Sequence, residues 1–175
     1  MGLKATHPCT GIEFAPPADW RVVVSGPDIM VAIEDARAGV QSRANVQLRA
    51  GVQPRVVAPF RANLVLTVAD NADVTFGQWQ RASDEALTTS LKGYELLDLE
   101  KLRVAGHPGG RRLARHLSTE GEVLVMQQWF TVFGHLGVTL TATCDLGSYR
   151  LLLPQIRTAA SSLALPPPGH APSRT

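Results

Sequence analysis

At 175 residues the chain has the length of one domain and can bury a substantial core, and its 45% hydrophobic and 18% charged content is that of an ordinary globular protein. A formal net charge of +2 with both signs scattered excludes a basic stripe for nucleic acid. No apolar run is long enough to span a membrane, and the excess of Arg over Lys fits a GC-rich genome.

The opening "MGLKATHPCTGIEF" has no apolar h-region and no apolar run ahead of Cys9, so residues 1–10 read as an N-terminal tail without a visible leader. Two cysteines make no disulfide framework and read as free thiols of a reducing cytoplasm. The expected location is therefore cytoplasmic, or the cell envelope should a signal peptide have been removed.

Residues 11–165 read as a single α+β domain. "GIEFAPPADWRVVV" predicts a short strand, a proline-fixed turn and a second strand opened by Trp20, and 29–35 predicts a third. The stretch 36–59 has little periodicity and is rich in Gly, Arg and Gln; its "RANVQL" echoes "RANLVL" at 61–66, too little for a repeat array. In 60–68, Phe60, Ala62, Leu64, Leu66 and Val68 alternate with Arg61, Asn63 and Thr67, the pattern of a half-buried strand. A helix over 76–92 follows from the capping-box spacing of Thr75 and Gln78, the stripe Trp79, Ala82, Ala86, Leu87 and Leu91, and Gly93 beyond its end. Strands are then expected at 95–104, 111–118, 122–133 and 138–144, with reversals in "AGHPGG", "TEG" and "GHLG". Tyr149, Leu152, Leu153, Ile156, Ala159, Ala160 and Leu163 form the stripe of a final helix disturbed by Pro154, and 166–175 reads as a Pro-rich tail.

Chemistry is sparsely advertised. There is no Gly-x-Ser-x-Gly, His-Glu-x-x-His, Gly-x-Gly-x-x-Gly or Cys-x-x-Cys. His7, His107, His116, His135 and His170 lack metal-ligand spacing with another His or Cys, so neither metal nor cofactor is expected. Cys144 shares the parity of Val138, Leu140 and Ala142 and reads as a small core residue. "HPGGRR" has the glycines and cations of an anion site, but no Lys-Ser or Lys-Thr and no helix follow it, so it reads as a turn between strands. An enzyme using His107, Arg111 and Arg112 on a phosphorylated substrate lacks a base or nucleophile placed by the sequence, and no catalytic residue is assigned.

A binding surface is the stronger expectation. If Gly121 and Gly137 are left-handed bulge residues, both C-terminal hairpins pair odd positions with odd. Arg111, Arg115, Gln127, Trp129, Thr131, Thr139, Thr141 and Thr143 then share one face, a Trp among Arg, Gln and Thr that suits a partner protein. The alternative is a merely solvated sheet face with Arg stacked on Trp129. Leu113, Leu117, Val123 and Val125 share that parity and need a cover, for which the 76–92 helix is the candidate.

The order "IEFAPPADW", "PFRANLVLTV", helix, "GHPGGRR", "VLVMQQWFTVFGHLGVTLTATC" and a final helix ending "AASSLAL" resembles the actinobacterial LpqN/LpqT lipoprotein family and, more broadly, the PsbP-like α-β-α sandwich. The resemblance implies an antiparallel sheet of about six strands flanked by helices. It also implies a non-enzymatic role, since relatives of this fold bind other proteins: a photosystem extrinsic subunit, a factor that binds the GTPase Ran, and chaperones of secreted effectors. It supplies no catalytic residues. The expected function is a protein-binding adaptor or chaperone, linked to bacterial secretion, with its partner on the odd-parity face or on 36–59. The alternative is a binder of a lipid or other amphipathic small molecule in the cell envelope, which requires an apolar cleft between a helix and the sheet.

Overall fold

A computed structural model describes residues 4–34, 60–71 and 74–167. The elements are β1 (Ala5–Thr6), β2 (Glu13–Phe14), β3 (Trp20–Val24), β4 (Ile29–Glu34), β5 (Asn63–Asp70), α1 (Phe76–Ser90), β6 (Glu95–Val104), β7 (His107–Leu117), β8 (Val123–Phe133), β9 (Leu136–Asp145) and α2 (Tyr149–Ser161). Seven strands form one antiparallel sheet in the order β3-β4-β5-β9-β8-β7-β6, one more than the sequence suggested. The fold is α+β, with α2 packed on one face and α1 on the other.

The α2 face carries the main core. Alternation in β5 and β9 sends Leu64, Leu66 and Val68, with Val138, Leu140 and Ala142, to one side, where they share a core with Ile156, Ala159 and Ala160 of α2 and with Leu163 just beyond its end. Cys144 lies in this core, as its parity predicted. α2 continues through Pro154 in its second turn, where the missing N–H leaves the Arg150 carbonyl without its helical donor. α1 begins at Thr75 with the expected capping box: the Thr75 hydroxyl accepts from the Gln78 N–H and the Gln78 carboxamide from the Thr75 N–H.

The amino end does not behave as a tail from residue 5 onward. Ala5 and Thr6 pair with Phe14 and Glu13, Glu13 bridges to Ala164, and Ile12 and Phe14 join the core. A two-residue strand has too little pattern to be read locally. The end of this hairpin holds His7, fully buried, whose Nδ1 shares a 2.9 Å hydrogen bond with the Thr10 hydroxyl while Nε2 has no partner.

"HPGG" is strand, not turn. The reversal falls just before it at Ala105 and Gly106, both at positive φ as a type I′ turn requires, so Val104 pairs with His107. Gly109 and Gly110 serve close packing instead. A Cβ on Gly109 would stand 2.3 Å from the Phe130 carbonyl oxygen, and one on Gly110 2.5 Å from the Phe130 ring. The stretches 36–59 and 168–175, including the "RANVQL" echo, lie outside the described residues.

These features make two predictions. Gly109→Ala pushes on backbone that cannot yield and costs about 3 kcal/mol or more. Gly121→Ala, at φ 84 with nothing within 4 Å of the added carbon, costs only about 1 kcal/mol. Urea denaturation of the two variants measures the contrast. Burial pulls the His7 imidazole below its ordinary 6.5, against the opposing influence of Asp28. The unfolded chain thus binds the proton first, and stability is lost as pH falls below 6.5 toward the folded value. Stability measured between about pH 7.5 and 5.5 is expected to fall in the wild type, with a shallower slope in His7→Gln.

Candidate partner-binding surface

The two C-terminal hairpins differ in register, and that difference disperses the predicted constellation. β7 and β8 pair odd with odd, as expected: Arg111 stands opposite Trp129 and Leu113 opposite Gln127, and Gly121 has φ 84. β8 and β9 pair odd with even: Trp129 opposes Leu140 and Gln128 opposes Thr141. The reason is the turn. Gly134, at φ 60, takes the first central position of a two-residue loop where a type II′ turn needs glycine, and Phe133 pairs directly with Leu136. Gly137 is an ordinary strand residue rather than a left-handed bulge.

Arg111, Arg115, Gln127, Trp129 and Thr131 consequently occupy the α2 face, and Thr139, Thr141 and Thr143 occupy the α1 face. Trp129 is 9% exposed and belongs to the core. Gln127 is buried beside it, and buried Thr131 donates to the Pro108 carbonyl at 2.8 Å. Arg111 pairs with Asp98 at 2.8 Å and Glu100 at 3.0 Å, and exposed Arg115 pairs with Glu95. The triad of the phosphate-enzyme reading does not converge either: consecutive Arg111 and Arg112 point to opposite faces, and His107 lies edge-on against Phe133. Among the described residues no three His, Cys, Asp or Glu side chains stand together as metal ligands.

The helix expected to cover the odd-parity face lies on the other one. α1 rests on β7, β8 and the end of β9 through Trp79, which fits over Gly137 because a Cβ there would stand 2.6 Å from the indole. Phe76 stacks on Phe130, and Trp79 meets the same ring edge-on. Beneath α1 lies a polar row that sequence spacing could not reveal. Arg112, 1% exposed, donates to Gln128 Oε1 at 2.5 Å and to Asp84 of α1, and Gln128 donates to the Thr141 hydroxyl at 3.0 Å. The Arg112 guanidinium also lies over the Phe130 ring. Burial pulls its pKa down to about 10, so it stays charged at neutral pH.

The other half of the α1 face carries no helix among the described residues. There the register aligns Ile29, Thr67 and Thr139; Val31, Val65 and Thr141; and Ile33, Asn63 and Thr143 in three rows. Eight of the nine are half-buried and Ile29 is exposed. The result is a regular array of hydroxyls and aliphatic groups, able to make both apolar contacts and hydrogen bonds. A separate cleft of about 410 Å³ lies between the 15–19 turn and α2, lined by Pro16, Pro17, Ala18, Pro154, Gln155 and Thr158. No described helix is long and apolar enough to cross a membrane.

No protein-family profile and no curated protein sequence matches the chain. Solved structures do. LpqN of Mycobacterium tuberculosis, described as involved in cell envelope biogenesis, superposes with a TM-score of 0.63 at 12% identity over 94% of this chain and 90% of its own. The cyanobacterial PsbP of Synechocystis gives 0.58 at 14% identity, over 94% and 92%. The Ran-binding protein Mog1p of Saccharomyces cerevisiae gives 0.57 at 9% identity, over 94% and 95%. At these identities the likeness is one of fold, and the fold is LpqN- and PsbP-like.

Asp84→Asn leaves a buried guanidinium without its counter-charge. Because Asp84 itself is 36% exposed, water offsets part of the loss, and the expected cost is about 2–3 kcal/mol. Replacing both partners, Asp84→Leu with Arg112→Met, is expected to recover most of it, as measured by thermal or urea unfolding.

Proposed function

We propose that this chain is a non-enzymatic protein-binding module, adaptor- or chaperone-like, whose partner docks on the α1 face over Thr139, Thr141 and Thr143 and the adjoining Val31, Ile33 and Val65. The observation that carries the reading is the half of that face on which no helix lies among the described residues. Sheets of this kind bury both faces, and here the β4, β5 and β9 side chains have no described element upon them. The Ran-binding neighbour supports it, since the same fold there serves a protein partner. The anchor moves from Trp129, which is core, to the threonine array.

A second reading, a binder of a lipid or amphipathic small molecule in the envelope, draws on the LpqN likeness and on the proline-lined cleft. That cleft has the volume of a small-molecule site but lies beside α2 rather than between helix and sheet.

A photo-crosslinker placed at Thr141 is expected to trap a specific protein in lysate of the source organism, and one placed at Arg115 is not. With that protein purified, Thr141→Arg should weaken binding by about tenfold or more, and Arg115→Ala by less than about twofold. Equal trapping at both sites would defeat the threonine surface. A lipid retained in native mass spectrometry and lost on narrowing the cleft with Thr158→Trp would favour the second reading.

A further inference from the structure

Arg112 is the one fully buried cation among the described residues, and an arginine cannot shed its charge at neutral pH. A guanidinium out of water requires an anion beside it. That anion comes from a lightly held element: no residue of α1 is fully buried, and Asp84 is a third exposed. The contact is also incomplete. Asp84 meets Nη2 through one oxygen, Nη1 is taken by Gln128, and the buried Nε has no partner. The side-on edge formed by Nε and Nη2 is where a carboxylate binds a guanidinium through both oxygens, a stronger and more directional contact than the single bond Asp84 makes.

Gln128 links this contact to the threonine array, accepting from Arg112 and donating to Thr141. Thr141, Gln128 and Arg112 occupy one row on successive strands, which places Arg112 two strand spacings, about 10 Å, from Thr141. We propose that Arg112 is a docking point for an acidic side chain of the partner protein, held in the free chain by Asp84 of α1 as an internal stand-in. This rests on the reading of the sheet as a partner surface, and it makes the partner's contact segment acidic. Binding then exchanges one carboxylate for another and releases the middle of α1 from the sheet.

The test needs no partner. Sodium acetate is titrated into the full chain and into Asp84→Ala, with the Arg112 Nε resonance and the melting temperature as readouts and acetamide as the neutral control. In Asp84→Ala, acetate is expected to shift the resonance and raise the melting temperature, with acetamide inert. The wild type should respond only at about tenfold higher acetate, because Asp84 competes. If Asp84→Ala does not fold, Asp84→Asn serves in the same titration. A folded variant that ignores acetate, or that answers acetamide equally, overturns the proposal. Inorganic phosphate binding about tenfold more tightly than acetate would also overturn it, assigning the site to phosphate esters. A positive acetate response without crosslinking at Thr141 would sink the surface reading separately.

Discussion

The register of the β8–β9 hairpin decides what every side chain in the centre of the sheet can do. Side chains alternate with period two, so a slip of one residue exchanges the two faces of a strand. With Gly134 in a two-residue turn, Trp129 falls opposite Leu140 and enters the core under α2, while Gln128 falls opposite Thr141 and completes the row to Arg112. A bulged turn at Gly137 would have put Trp129 among the threonines and left a ring-sized gap beneath α2. It would also have denied Trp79 its seat, because the indole of α1 lies where any side chain at position 137 would start.

The two faces of the sheet are stabilised in different ways. On the α2 face, continuous apolar burial from Phe14 to Leu163 joins both ends of the chain, each large side chain contributing about 1.5–3 kcal/mol by leaving water. On the α1 face, a stacked aromatic group and a buried ion pair hold a helix none of whose residues is wholly enclosed. A buried ion pair adds little net stability over an apolar substitute but tolerates no unpaired member. Such a contact fixes where a helix sits, on the same side of the sheet as the proposed partner surface.

Glycines illustrate how one residue type answers different constraints. Gly134 and Gly121 permit left-handed turns; the sequence pointed to Gly121 but to Gly137 in place of Gly134, because "GHLG" offers a glycine at both ends of the reversal. Gly109, Gly110 and Gly137 permit contact: Phe130 and Trp79 lie against the backbone where a methyl group would intrude. Nothing in "HPGG" or "GHLG" distinguishes these roles, since the atoms that demand the glycine belong to another strand or to a helix far away in the chain.

What the sequence by itself determined is what depends on neighbours a few residues away. The alternation of β5, the capping box of α1, the stripe of α2 and the core parity of Cys144 are all local, and the order of such elements carried the family resemblance that implied an antiparallel sheet flanked by helices. Only the tertiary structure decided the rest. The β1–β2 hairpin is too short to carry a pattern of its own and is held by the bridge from Glu13 to Ala164 and by Ala5, Ile12 and Phe14 in the core. The β8–β9 register had two turn solutions, each with a glycine available, and the choice between them depended on packing against both helices. The pairing of Arg112 with Asp84 joins residues 28 positions apart through a helix laid across a strand. Local propensity has no range over such distances; burial and charge compensation act only once the chain has closed upon itself.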